Sequence, residues 1–133
     1  MNAVEQASII YPLLVKHSND RAVITYGEVN SELGYKGNAS GHAIRAGMDL
    51  IVLYCKEYGL PQLTSLIVNK KSGEPTEGYA YGEGENIQDE HIKCFNNKWE
   101  LTIDYTSIWD QRFELRKKFN LTYGNSQLKR NQK

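Results

Sequence analysis

Apolar residues recur at helical spacing near the start of the chain, at Ala7, Ile10 and Leu14, flanked by Ile9 and Leu13. This pattern predicts a first helix over Ala3 to His17. Pro12 falls inside it and removes a backbone donor, so the helix either kinks there or begins near Tyr11. Ser18-Asn19-Asp20 reads as a turn, and Ala22-Val23-Ile24 leads to Thr25. Thr25 followed three residues later by Glu28 is a capping-box signature, which opens a second helix. Val29 and Leu33 continue its apolar face, and Gly34 stops it. After the turn Gly34-Tyr35-Lys36-Gly37, Asn38 or Ser40 caps a third helix. That helix runs through Ile44, Met48, Ile51, Val52 and Cys55 towards Tyr58, and Gly59 and Pro61 close it.

The pattern then changes period. Leu63 to Asn69 predicts a strand, and KKSG a turn before Glu74-Pro75. Residues 74–91 are rich in Gly and Glu and read as an inserted acidic loop, with a short return strand around Tyr79 to Tyr81. Ile92 to Phe95 suits another strand. Tyr105, Ile108, Trp109 and Phe113 fall at helical spacing, so Ile103 to Phe119 predicts a C-terminal helix with a basic far end. Helix-turn-helix followed by a β-hairpin predicts an α+β winged-helix-like domain over 1–120, with Lys70 and Lys71 at the wing tip. Residues 121–133 form a basic tail expected to be flexible.

Charge refines this picture. The 133 residues carry no formal net charge, which argues against a generic grip on nucleic acid. The distribution is uneven. Nine acids (Glu74, Glu77, Glu83, Glu85, Asp89, Glu90, Glu100, Asp104, Asp110) face two lysines, Lys93 and Lys98. From Arg112 onward Glu114 is the one acid among seven basic residues. The chain thus has an acidic middle and a basic end. No apolar run approaches the roughly 20 residues of a membrane span, so no membrane partner is expected. Glu5 and the missing basic start make a poor signal peptide, and Cys55 and Cys94 form no CxxC pair. A cytoplasmic location with reduced thiols is the expectation.

Thr25-Tyr26-Gly27, Ala39-Ser40-Gly41-His42-Ala43-Ile44-Arg45-Ala46-Gly47-Met48, Leu60-Pro61-Gln62-Leu63-Thr64 and Val68-Asn69-Lys70-Lys71-Ser72-Gly73 occur in that order. This succession, from Ala22 to Gly73, resembles the DNA-binding half of the alkylguanine-DNA alkyltransferases and alkyltransferase-like proteins. The resemblance implies a winged helix whose third helix enters a DNA groove. It matches Tyr26 to a tyrosine that presses on the target nucleotide's phosphate, and His42, or Arg45 one turn later, to an intercalating cation. The departures bear on chemistry. Gln62 stands where the family has its alkyl-accepting cysteine, and Leu63 and Thr64 replace the histidine and arginine after it. A thiolate beside an activating base is what dealkylation needs, so that reaction is excluded.

The candidate DNA surface comprises Tyr26, Lys36, Asn38, Ser40, His42, Arg45, Lys70 and Lys71. The leading expectation is a non-enzymatic protein that binds double-stranded DNA, without cofactor or metal. By fold analogy it would be an adaptor or regulator in DNA repair or genome defence. The alternative is a protein-interaction module, an inhibitor or immunity protein whose acidic region 74–110 meets a basic partner. A third reading is a nucleic-acid hydrolase built on Asp89, Glu90 and His91. The same stretch with Cys94 offers too few ligands for a strong metal site, and a solvated acidic loop is the plainer reading. Trp99, Trp109, Tyr105 and Phe113 suit either a stacking platform for single strands or an aromatic core seam.

Overall fold

The computed structural model describes residues 1–37, 41–74 and 86–121. Helix α1 spans Ala3–Asn19, strand β1 Ile24–Thr25, α2 Tyr26–Glu32 and α3 Arg45–Glu57. A 3₁₀ turn at Leu63–Leu66 leads into β2, Ile67–Val68. Helices α4 (Ile87–Asn96), α5 (Tyr105–Asp110) and α6 (Arg112–Lys118) follow. The result is a helix-dominated α+β fold with one small sheet.

Local chemistry explains most of the helix starts. Asn2 accepts from the Glu5 amide at 2.8 Å, and the Glu5 carboxylate takes the Asn2 amide at 3.1 Å. This capping box starts α1 ahead of the proline. The helix then continues through Pro12. Pro12 and Ser8 are both exposed, so the carbonyl that the proline cannot bond is open to water. Thr25 and Glu28 form the expected box on α2, with distances of 3.2 and 3.1 Å. Gly34 follows at φ +81°, a backbone conformation suited to glycine, and ends the helix as its position predicts.

Helix α3 packs chiefly on α1, whereas α2 packs on β1 and β2. The link between α2 and α3 runs from 33 to 44, far longer than the three or four residues of a compact helix-turn-helix. The expected tight unit is not formed: α3 starts at Arg45 with Ile44 at the cap position, not after Asn38 or Ser40, and it lies on α1. The two helices approach closely at Gly47, where a Cβ would fall 2.5 Å from the Gln6 Cβ. The core lies between these helices, with Ala7, Ile10, Leu14, Met48, Ile51 and Cys55 at most 1% exposed.

Three expectations are corrected. Leu63 to Asn69 is not a continuous strand: the 3₁₀ turn occupies its first half, and β2 pairs in parallel with β1, Ile24 opposite Ile67 and Thr25 opposite Val68. Residues 62 to 68 are all buried, and an evenly buried run carries no period to separate strand from tight helix. Ile92 to Phe95 is helical, inside α4, because Asn86 caps the Asp89 amide at 2.8 Å and Ile87, Glu90 and Cys94 form one inward stripe. The C-terminal helix is two helices that meet at Gln111, with Asp104 capping α5 through the Ser107 amide at 3.0 Å. The KKSG turn does fold back, with the Asn69 amide on the Glu74 carbonyl and the Gly73 amide on the Asn69 carbonyl, both at 2.8 Å. The expected return strand at Tyr79 to Tyr81, most of the acidic loop and the tail from 122 on lie outside the described residues.

Candidate nucleic-acid interface

Gln6 organises this end of the molecule. It sits on the buried face of α1, at 5% exposure. Its amide nitrogen donates to the Ala43 carbonyl at 2.9 Å and to the Tyr35 hydroxyl at 3.1 Å. Its amide oxygen accepts the Gly47 N–H at 2.9 Å. Gly47 is the third residue of α3, and Ile44 at the cap position has no side-chain bond to offer. One glutamine thus satisfies, from another helix, the amide that a local Ser or Asp would normally cap. No sequence motif marks Gln6. Its one signal is position: a polar residue one turn from Ala3 and Ile10, inside an apolar stripe.

Tyr35 and Ala43 are held by this clamp, and Gly41 packs on Tyr26. Gly41 lies against the Tyr26 ring so closely that a Cβ there would be 2.9 Å from it. Tyr26 itself is 1% exposed. Its expected role on a DNA phosphate is therefore corrected: the ring is a wall that supports Gly41, and it has no surface to offer a ligand. Asn38 and Ser40 lie outside the described residues. Lys36 and His42 are exposed and Arg45 is half-buried.

Lys70 and Lys71 lie on the turn that follows β2. Thr25, the cap of α2, pairs with Val68, and the two strands run in parallel. The chain leaving β2 therefore emerges beside the start of α2, close to where Gly41 meets Tyr26. Both lysines are exposed on the turn, and the Lys71 amide is held by the Asn69 side chain at 2.9 Å. Of the eight expected residues, Lys36, His42 and Arg45 thus lie on the segment held by Gln6, and Lys70 and Lys71 lie on the turn that follows the strand paired beside the start of α2.

The acids close by in sequence are partly occupied. The Glu28 carboxylate is taken up by Thr25. Asp49 is buried, with Arg116 at 3.9 Å. Glu32 and Glu74 remain exposed.

The Asp89-Glu90-His91 stretch is not a solvated loop. Glu90 is 4% exposed and accepts the Gln62 amide at 2.6 Å, and the His91 Nε2 lies 2.8 Å from the Ser65 carbonyl. Cys94 donates to the Gln62 carbonyl at 3.3 Å. These bonds lash α4 to the 3₁₀ turn. Asp89 stays on the exposed side, so the expected trio does not converge. Among the described residues no group of His, Cys, Asp and Glu is placed to hold a metal ion. Burial pushes both thiols up to about 12, which keeps Cys55 and Cys94 protonated and poor nucleophiles. The four aromatics do not form one seam, although Trp109 and Phe113 share Arg112. Trp99 is buried and donates to the Cys94 carbonyl at 3.0 Å. Arg112 lies over Trp109 at 3.6 Å, and Phe113 is 66% exposed.

Compared with protein-family models, curated proteins and solved structures, the chain matches none. Among the described residues no helix is long and apolar enough to cross a membrane.

Proposed function

We propose that this protein binds double-stranded DNA without catalysis, through the end formed by Lys36, His42, Arg45 and the Lys70-Lys71 turn. The observation that supports this reading is that Lys36, His42, Lys70 and Lys71 are exposed on the segment held by the Gln6 clamp and on the turn that follows the parallel strand pair. Lys70 and Lys71 act on phosphates as exposed point charges on a closed turn. His42 and Arg45, at the start of α3, are placed to reach a groove edge. The reading keeps the wing-like turn of the alkyltransferase resemblance and gives up the tyrosine's role. Action as an adaptor or regulator in DNA repair or genome defence follows from the same resemblance.

The test is fluorescence anisotropy on a plain duplex, a single strand and an alkylguanine duplex, at low and near-physiological salt. Binding should weaken steeply with salt. Lys70→Gln/Lys71→Gln should lower the log–log salt slope by about 2, close to one unit for each phosphate that a lysine neutralises. His42→Ala/Arg45→Ala should abolish any preference among the duplexes. A wild-type chain that binds no duplex at low salt would sink the proposal.

A further inference from the structure

The far end of α3 carries a different surface. Tyr54 and Tyr58 stand one turn apart, with ring centroids 5.1 Å apart and planes tilted by 46°. Tyr54 is buried and braced edge-on by Tyr11 at 5.8 Å, whereas Tyr58 is 64% exposed. The Tyr11 hydroxyl donates to the Glu100 carbonyl at 2.6 Å, which draws the Glu100 segment across the rings. A cleft of about 360 Å³ opens here, lined by Tyr54, Tyr58, Glu57, Glu100, Asp104 and Ile108 among others. A second recess of about 260 Å³ shares Tyr54, Tyr58 and Glu100 and runs on to Leu60 and Trp99.

The charges in the first cleft all have one sign. Its lining holds three carboxylates and no cation. Lys118 reaches Glu57 at 2.8 Å, and Asp104 is engaged by the Ser107 amide. The Glu100 carboxylate meets no cation among the described residues, and Lys98 lines only the second recess. Aromatic faces beside carboxylates favour an organic cation, by ring quadrupole and by charge. A planar guanidinium suits this best, since it stacks on a ring and forks onto a carboxylate at once. The molecule already makes such a stack, with Arg112 3.6 Å above the Trp109 ring and 4.3 Å from that of Phe113. The continuation past Tyr58 to Leu60 and Trp99 makes the site an elongated groove, shaped for a chain segment rather than a lone ammonium ion.

We infer that the Tyr54–Tyr58–Glu100 groove is a docking site for an arginine-bearing segment of a partner protein, with a guanidinium stacked on Tyr58 and paired to Glu100. Arg45 and Glu57 bound α3, so this site lies roughly 18 Å from the cationic end, at 1.5 Å of rise per residue. It does not depend on the DNA binding proposed above.

The experiment titrates the full chain against a fluorescein-labelled nine-residue arginine–glycine peptide at near-physiological salt. A lysine–glycine peptide of equal charge and unlabelled spermidine serve as comparisons. The arginine peptide should bind more tightly than the lysine one. Tyr58→Ala and Glu100→Gln should each weaken it about tenfold, while Glu32→Gln and His42→Ala/Arg45→Ala leave it unchanged. Tyr58 is mostly exposed, so the first variant should fold, and unchanged circular dichroism and urea unfolding verify both. Equal affinity for both peptides, untouched by Tyr58→Ala, would reduce the effect to general attraction and overturn the proposal. Spermidine binding that needs Tyr58, without peptide binding, would assign the site to small ammonium ions instead. Peptide binding that appears only after Lys129, Arg130 and Lys133 are changed to Gln would make the chain's own basic end the occupant, and a partner segment would be excluded.

Discussion

Gln6 shows how much one side chain can decide. It makes three hydrogen bonds, to Tyr35, Ala43 and Gly47, from a position 5% exposed. Gln6→Ala should lower the unfolding free energy by about 1–3 kcal/mol, because it leaves the Gly47 amide and Ala43 carbonyl without their partner. A urea titration measures this, and a change under a few tenths of a kcal/mol would mean the clamp carries nothing. The two thiols make a second residue-scale prediction. Their ordinary value is 9.0, and burial raises both to about 12 in the fold. The unfolded chain releases these protons from about pH 9, so above that pH it binds fewer protons than the folded chain. Their contribution to stability is therefore complete below pH 9 and is lost as pH climbs towards 12. Iodoacetamide labelling should accordingly follow unfolding. Rapid labelling of the folded chain at pH 8 would show that a thiol is exposed and ionised.

At the scale of elements, the instructive case is α1. Helix interiors disfavour proline by about 3 kcal/mol relative to alanine. The chain tolerates Pro12 because a capping box at Asn2 starts the helix firmly and the missing bond points to water. Pro12→Ala should therefore stabilise the protein by about 1 kcal/mol or more, read as a shift in urea midpoint. A fall in stability would instead mean that the proline sets the path of α1 against α3. Caps explain which elements are legible in the sequence. Thr25 with Glu28, Gly34 and Gly59 mark helix ends through local chemistry alone, and they fall where the pattern puts them. Asn86 with Asp89 is equally local, but the surrounding Gly and Glu give α4 the look of a loop running into a strand.

At the scale of the molecule, the two ends of α3 differ: Arg45 opens the helix, and the cleft at its far end is lined by tyrosines and the carboxylates of Glu57, Glu100 and Asp104. That difference is invisible to a net charge of zero. It also separates the two proposals, since a high-salt wash should release DNA from one end while a guanidinium stacked on Tyr58 is held in part by its ring. The candidate site is half legible in the sequence. Lys36, His42, Arg45, Lys70 and Lys71 are polar in a segment of surface character, and their exposure or partial exposure follows from type. Tyr26 is ambiguous there, because a tyrosine at a helix start suits a ligand or a core wall equally, and Gly41 closing over it decides. The caps of α1 and α2, the glycine stops and the apolar faces of α1 to α3 belong to the sequence alone, because they depend on neighbours within a few residues, whereas the cap of α3 comes from Gln6. That α3 lies on α1, that β2 joins β1 in parallel and that Glu90 turns inward are settled in three dimensions. Each of these rests on partners 28 to 43 positions apart, Gln62 with Glu90, Gly47 with Gln6 and Ile24 with Ile67, and no local pattern encodes such pairings.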